Sequence, residues 1–111
     1  LEDHLGVRFM PEPDWCDPNR WLTNMVVDPQ AAGFSASELR HAMKQENIEA
    51  RPLWKPMHCQ PLYQSRGTRF FGGGAGQDLF ESGVSLPSGS ALTDHDLERV
   101  ESVIRKMCGN D

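Results

Sequence analysis

Long apolar runs are missing from this 111-residue chain. The longest spans only a few residues, far short of the roughly 20 that a membrane-spanning helix needs, so no transmembrane segment and no membrane partner are read. No basic n-region followed by an apolar stretch opens the chain, so no signal peptide is read either. A start at Leu1 rather than Met fits a chain trimmed or cut from something longer. Cysteine is scarce: Cys16, Cys59 and Cys108 are odd in number and widely spaced. That excludes a disulfide framework and fits a reducing, cytoplasmic setting. No CxxC or HxxxH pair occurs, and His58 beside Cys59 supplies too few ligands for a zinc site, so no metal is expected. The thiols read instead as small packing residues. A net charge of −5 argues against general nucleic-acid binding.

What is there describes one ordinary globular domain. The apolar set is 38% and the charged set 24%, which excludes disorder, collagen-like repeats and a coiled coil for the chain as a whole. A domain of this size buries roughly two-thirds of the surface its unfolded chain exposes, enough for a core. The charge is uneven. From Ala50 to Gln77 there is no acidic residue, while Arg51, Lys55, Arg66 and Arg69 are basic; the other 83 residues carry seven basic and sixteen acidic side chains. Such an island concentrates field where an anionic ligand could sit. The alternative is four exposed basic residues that fall together by chance or pair with acids elsewhere in the fold.

Residues 1–18 read as an irregular N-terminal segment, punctuated by Pro11, Pro13 and Pro18. Trp21 to Asp28 reads as a half-buried strand with Trp21, Thr23, Met25 and Val27 on one face. A helix follows. Ser35 and Glu38 form a capping box, and Phe34 and Leu39 a hydrophobic staple. Ile48–Arg51 is a short strand stopped by Pro52. Pro52 to Gly76 reads as a long loop broken by Pro56, Pro61 and three consecutive glycines. It holds Trp54, Met57, Leu62, Tyr63, Phe70 and Phe71, so it reads as ordered and functional. The glycine run has neither a GKS/GKT ending nor a preceding strand, and serves as a connection rather than a phosphate loop. Gln77–Ser82 is a short helix closed by Gly83 as C-cap, and Val84–Leu86 a short strand. The last helix starts at Thr93, with Asp96 completing a second capping box and Leu92 and Leu97 a second staple. Leu97, Val100, Ile104 and Met107 make its apolar stripe. The architecture expected is a small two-layer α/β sandwich: three or four strands, with helices mainly on one face.

Three segments then carry a resemblance. Asn19-Arg-Trp-Leu-Thr23, Glu46-Asn-Ile-Glu-Ala-Arg-Pro-Leu-Trp-Lys-Pro-Met-His-Cys-Gln-Pro61 and Leu86-Pro-Ser-Gly-Ser-Ala-Leu-Thr93 closely resemble the C-terminal, small domain of the DegT/DnrJ/EryC1/StrS aminotransferases. The resemblance covers Arg8 to Cys108 and implies an aminotransferase C-terminal-like domain over residues 19–111. It also implies the chemistry of the family: pyridoxal-phosphate-dependent transamination of nucleotide-linked keto-sugars, nearest to the branch that makes amino sugars for bacterial glycans. By the same resemblance His58, Lys55 and Trp54 are the substrate-side residues, with Arg51, Arg66 and Arg69 as further candidates for an anionic ligand. His58 would bond a sugar hydroxyl or phosphate, Lys55 would meet the diphosphate, and Trp54 would shape the pocket.

The family's cofactor and Schiff-base lysine lie in a larger N-terminal domain. Here the lysines are Lys44, Lys55 and Lys106. Two fall on amphipathic helices and Lys55 on the substrate-side motif, so the expectation is no catalytic residue, no cofactor bound by this chain, and no transamination by it alone. Three functions compete. The chain is a detached or truncated small domain working with a separate large domain; or a binding module for a nucleotide-sugar or other anion; or a reused fold acting as an oligomer. Trp15, Trp21, Trp54, Phe70 and Phe71 are candidates for an exposed apolar patch, which implies a homo-oligomer or a partner.

Overall fold

The computed structural model describes residues 6–19, 21–67 and 69–109. The apolar run after Trp21 pairs as β2, Thr23–Val27. Its alternation sets the two faces: Met25 and Val27 are fully buried, while Asn24 and Val26 are half-buried. Gly83–Leu86 (β4) runs antiparallel beside it, with Met25 opposite Val84. On the other side Val7–Phe9 (β1) pairs antiparallel, with Val7 opposite Val27. Arg51–Pro52 (β3) pairs antiparallel with β4, so the sheet has four strands in the order β1-β2-β4-β3. It follows that β2 and β3 are parallel to each other with β4 inserted between them, a split crossover.

Two strand expectations need correction. Within the segment read as irregular, Val7–Phe9 are ordered into the sheet; residues 1–5 lie outside the described residues. Gly6 explains the difference. It sits at φ 93° so close to the backbone of Ala31 and Ala32 that a Cβ there would overlap them, and its carbonyl accepts from the Asp28 N–H at 2.7 Å. The strand expected over Ile48–Arg51 is only Arg51–Pro52. Pro52 does not stop it, because β3 is an edge strand where a missing N–H costs no ladder bond. Ile48 instead turns into the core, 7% exposed.

The helices obey their caps. Pro29–Ala32 (α1), a turn not anticipated, starts where the Asp28 carboxylate accepts from the Gln30 N–H at 3.0 Å. Ala36–Gln45 (α2) starts on the expected capping box: the Glu38 N–H donates to Ser35 Oγ and the Ser35 N–H to the Glu38 carboxylate. Phe34 and Leu39 are both buried at the staple. Those bonds to Ser35 hold the Glu38 carboxyl below its ordinary value of 4.5, the backbone N–H contributing most. Asn47, in the left-handed region at φ 57°, turns the chain out of α2.

Asp94–Met107 (α5) carries the second capping box, between Thr93 and Asp96. Its buried residues are Val100, Val103 and Ile104, so the stripe is corrected at its start: Leu97 is half in solvent. Only from Val100 onward does the helix lie over the buried cluster. Arg99 reaches across to α2, its Nη2 donating to the Glu46 carbonyl at 2.7 Å. The core joins Val7, Met25, Val27, Val84 and Leu86 of the sheet to Leu39 and Met43 of α2 and Val100, Val103 and Ile104 of α5. Both long helices thus cover one face, which is the two-layer sandwich expected.

Between β3 and β4 the chain forms no long element until Ala75–Ser82 (α4). A 3-10 turn at Met57–Cys59 and a single helical turn, Pro61–Gln64 (α3), interrupt the loop. Gly83 is the C-cap of α4 as expected, its N–H donating to the Leu79 carbonyl, but without the left-handed conformation. It is extended, at φ −94° and ψ 150°, and opens β4, because the Leu53 side chain and the Leu79 carbonyl fill the space a Cβ would need. No helix among the described residues is long and apolar enough to cross a membrane.

Candidate functional site

Leu53 is half-buried against Gly83. Its neighbour Trp54 therefore faces the other way along the extended chain and is 67% exposed. Its ring meets that of Trp21 with centroids 5.9 Å apart and planes tilted by 41°, a geometry aromatic pairs prefer. These two tryptophans mark the rim of an open groove of about 850 Å³. One wall is the segment from Asn47 to Lys55. The opposite side is the turn from Leu86 to Gly89, and Asp96, Arg99 and Val100 of α5 close it. All three sequence segments that carried the family resemblance contribute to this one groove.

The groove's charges are mostly engaged. Arg51 pairs with Glu49, its Nε donating at 2.7 Å, on an exposed surface where such pairs contribute little. Asp96 accepts from the Thr93 hydroxyl at 2.6 Å and from the Thr93 N–H at 2.9 Å. Those bonds, the hydroxyl's first, hold its carboxyl below the ordinary 3.8. Arg99 is committed to the Glu46 carbonyl. Lys55 is different: its Nζ lies 5.8 Å from the centre of the Phe80 ring, and among the described residues no carboxylate pairs with it. An ammonium held over a ring face keeps donors for a ligand. Ser88 braces the far side, accepting from the Thr23 N–H and donating to the Leu86 carbonyl, both at 2.8 Å. Its hydroxyl thus ties the turn to β2.

Of the residues singled out from the sequence, Arg51, Trp54 and Lys55 line the groove. His58 does not. It sits on the 3-10 turn and stacks on Phe70, with ring centres 3.8 Å apart and planes 29° from parallel. Arg66 and Arg69 are exposed on the later loop and are not part of the groove wall. The basic island thus lines the groove only in part, through Arg51 and Lys55, and for Arg51 the alternative of an acidic partner holds. Sequence reasoning did not place Trp21, Phe80, Asp96 or Arg99 in the site. Trp21 lay inside a quoted motif and among the candidates for an exposed apolar patch, and those were its only signals.

Pyridoxal phosphate needs an amine for the Schiff base and an acid for its ring nitrogen. The residues present do not fit it. The groove's carboxylates, Glu49 and Asp96, are held by Arg51 and Thr93, and its one lysine is turned over Phe80. Lys44 and Lys106 are exposed on helix surfaces. Among the described residues no three His, Cys, Asp or Glu side chains gather as a metal site, and Cys16, Cys59 and Cys108 are all thiols.

Comparison with known proteins matches residues 1–105 to the DegT/DnrJ/EryC1/StrS aminotransferase family. EpsN of Bacillus subtilis, named as a pyridoxal phosphate-dependent aminotransferase, is 44% identical over 106 residues; the match takes in 91% of this chain and 26% of EpsN. Among solved structures, the aminotransferase TlmJ of Streptoalloteichus hindustanus superposes with a TM-score of 0.77 at 17% identity, over 94% of this chain and 26% of TlmJ. Spr1654 of Streptococcus pneumoniae, named as a sugar aminotransferase and solved in its PLP form, gives a TM-score of 0.76 at 16% identity, over 93% and 26% respectively. The chain therefore spans about a quarter of the length of these relatives. At such identities the two structures speak for the fold.

Proposed function

Because the chain belongs to the DegT/DnrJ/EryC1/StrS aminotransferase family, we propose that it is the small, substrate-side domain of a sugar aminotransferase. In this reading the groove between Trp54 and the Leu86–Gly89 turn receives a nucleotide-linked sugar. One observation carries the reading: three separate segments of the chain, the same three that resemble the family, converge on one groove with Trp21, Trp54 and Lys55, which no carboxylate among the described residues pairs, at its rim. Aromatic faces suit a base or a sugar ring, and a lysine with free donors suits a diphosphate. His58 joins the site in this reading when Phe70 gives up its stacking position. Pyridoxal phosphate and its Schiff-base lysine belong to the part of the relatives that this chain does not span, so a separate or attached large domain completes the enzyme, in a cytoplasmic setting.

The test is a titration of the isotopically labelled chain with a UDP-sugar. Saturable shifts at the Trp21 and Trp54 indoles, at Lys55 and at Ser88–Gly89 are expected, weakened in Lys55→Gln. No response at millimolar ligand would overturn the reading.

A second reading, an interaction module, draws on a separate observation. Trp15 and Phe71 are 86% and 84% exposed, two large aromatic faces that the fold leaves to solvent and that a partner could cover. In that reading they form the contact with a second copy or with the large domain. Sedimentation at tens of micromolar tests it: a discrete oligomer supports self-association, and a monodisperse monomer removes the second copy and leaves only contact with the large domain.

A further inference from the structure

The helix α4 has no place in the core. None of its residues is buried, and none belongs to the cluster that joins the sheet to α2 and α5. Its N-cap is Gly74, which has no side chain to offer, and eight residues are too few for a helix to persist on propensity alone. Contacts therefore have to fix it, and along one side they fall on Leu53–Cys59, inside the longest of the three family-like segments. The Pro56 ring lies 3.3 Å from the place a Cβ on Gly76 would take. One residue on, the Cys59 thiol donates to the Gln77 side-chain oxygen at 3.7 Å, while the nitrogen of the same amide donates to Glu81 at 2.9 Å. A turn later the Lys55 ammonium stands 5.8 Å from the centre of the Phe80 ring. At the helix end Leu53 fills the space beside Gly83. Positions 76, 80 and 83 are four and three apart, which is one side of a helix.

Leu53 and Pro56 meet α4 by packing and Cys59 by a weak hydrogen bond; Lys55 meets it by its charge. Lys55 and Phe80 both line the groove, Phe80 half-buried and Lys55 exposed. An exposed lysine samples many rotamers, and a ligand that has to order it gives up affinity in doing so. A ring face attracts an ammonium within about 6 Å, and so limits that freedom before a ligand arrives.

We propose that Phe80 is a positioning residue of the groove: acting through Lys55, it keeps the ammonium at the groove wall, where the diphosphate of a nucleotide-linked sugar would meet it. The proposal rests on the reading of the groove given above. It goes beyond that reading by assigning part of the affinity to a side chain of α4 that has no polar group of its own.

The experiment follows the labelled chain and its variants without and with the UDP-sugar. In the free chain the Cε protons of Lys55 are expected upfield of those of Lys44 and Lys106, displaced by the ring current of Phe80, and Phe80→Leu should abolish the displacement. Phe80 lies outside the buried cluster, so the urea midpoint of that variant should stay near the parent's. Phe80→Leu should weaken UDP-sugar binding about two- to fivefold, the loss that an exposed cation–ring contact implies. Phe80→Tyr, which keeps the ring, should bind as the parent does. In a Lys55→Gln background the change to Leu should cost nothing further, because the ring acts only through the ammonium. A full further loss in that double variant would make Phe80 a ligand contact and overturn the positioning role. So would undiminished binding by Phe80→Leu, or Lys55 protons that are not displaced in the parent chain. A parent chain with displaced Lys55 protons and no response to the UDP-sugar is the failure of the groove reading instead, and takes this proposal with it.

Discussion

The sheet with α2 and α5, and the stretch from Leu53 to Gly74, are built on opposite principles. In the first, both long helices have complete capping boxes, and Met25, Leu39, Met43 and Ile104 lie fully out of solvent. In the second, the longest helix is the single turn Pro61–Gln64, and Trp54, Met57, Leu62, Phe70 and Phe71 all face water. Apolar area in the first region stabilises the fold. Apolar area in the second adds little to it, and is available to a ligand or partner. The two regions meet where Leu53 covers Gly83.

That contrast can be broken from its strongest side. Leu39→Ala removes a fully buried side chain between sheet and helices and should cost about 2–5 kcal/mol, read as a lower urea midpoint with unchanged slope. A loss below about 0.5 kcal/mol would mean the core is loosely packed. Gly83→Ala attacks the junction. Its methyl would collide with Leu53 and with the rigid Leu79 carbonyl, so a cost of about 1–3 kcal/mol is expected, together with displaced resonances over Leu53–Lys55. Unmoved loop resonances would show that Leu53 is not the anchor. Ser35→Ala, which deletes the cap of α2, should cost about 1 kcal/mol.

The smallest effect is on pH dependence. The carboxyls of Glu38 and Asp96 are held below their ordinary values by Ser35 and Thr93. Their contribution is therefore fully present above 4.5 and 3.8 respectively, and is lost as pH falls through the lower, folded-state values. Acid titration of the urea midpoint should show a fall in that window that flattens in Glu38→Gln and Asp96→Asn. An unchanged slope in both variants would remove the two boxes from the account.

The structured half was readable because its signals are local. Ser35 and Glu38, or Thr93 and Asp96, are three residues apart, and each box states where its helix begins. β1 was not readable, since a three-residue strand has no period to detect and its position depends on Gly6 touching Ala31 and Ala32, distant in sequence. Leu97 fits the helical stripe, but the cluster it would join begins a turn later. The groove was half readable. Trp54, Lys55 and Arg51 share one motif, whereas Trp21, Phe80 and Asp96 reach them only through the sheet order. The basic island divides in the fold: Arg66 and Arg69 lie outside the groove wall, and Arg51 is paired by Glu49, two residues before it and just outside the acid-free run.

The account rests on the loop's aromatic face being spare to the fold and needed by the ligand. The Trp54→Ala variant, titrated with a UDP-sugar while its urea midpoint is followed, tests that claim most directly. The account predicts a midpoint within about 0.5 kcal/mol of the parent chain, as for an exposed site, and loss of the shifts at Trp21, Lys55 and Ser88–Gly89. An undiminished ligand response, or a midpoint that falls as far as in Leu39→Ala, would contradict it.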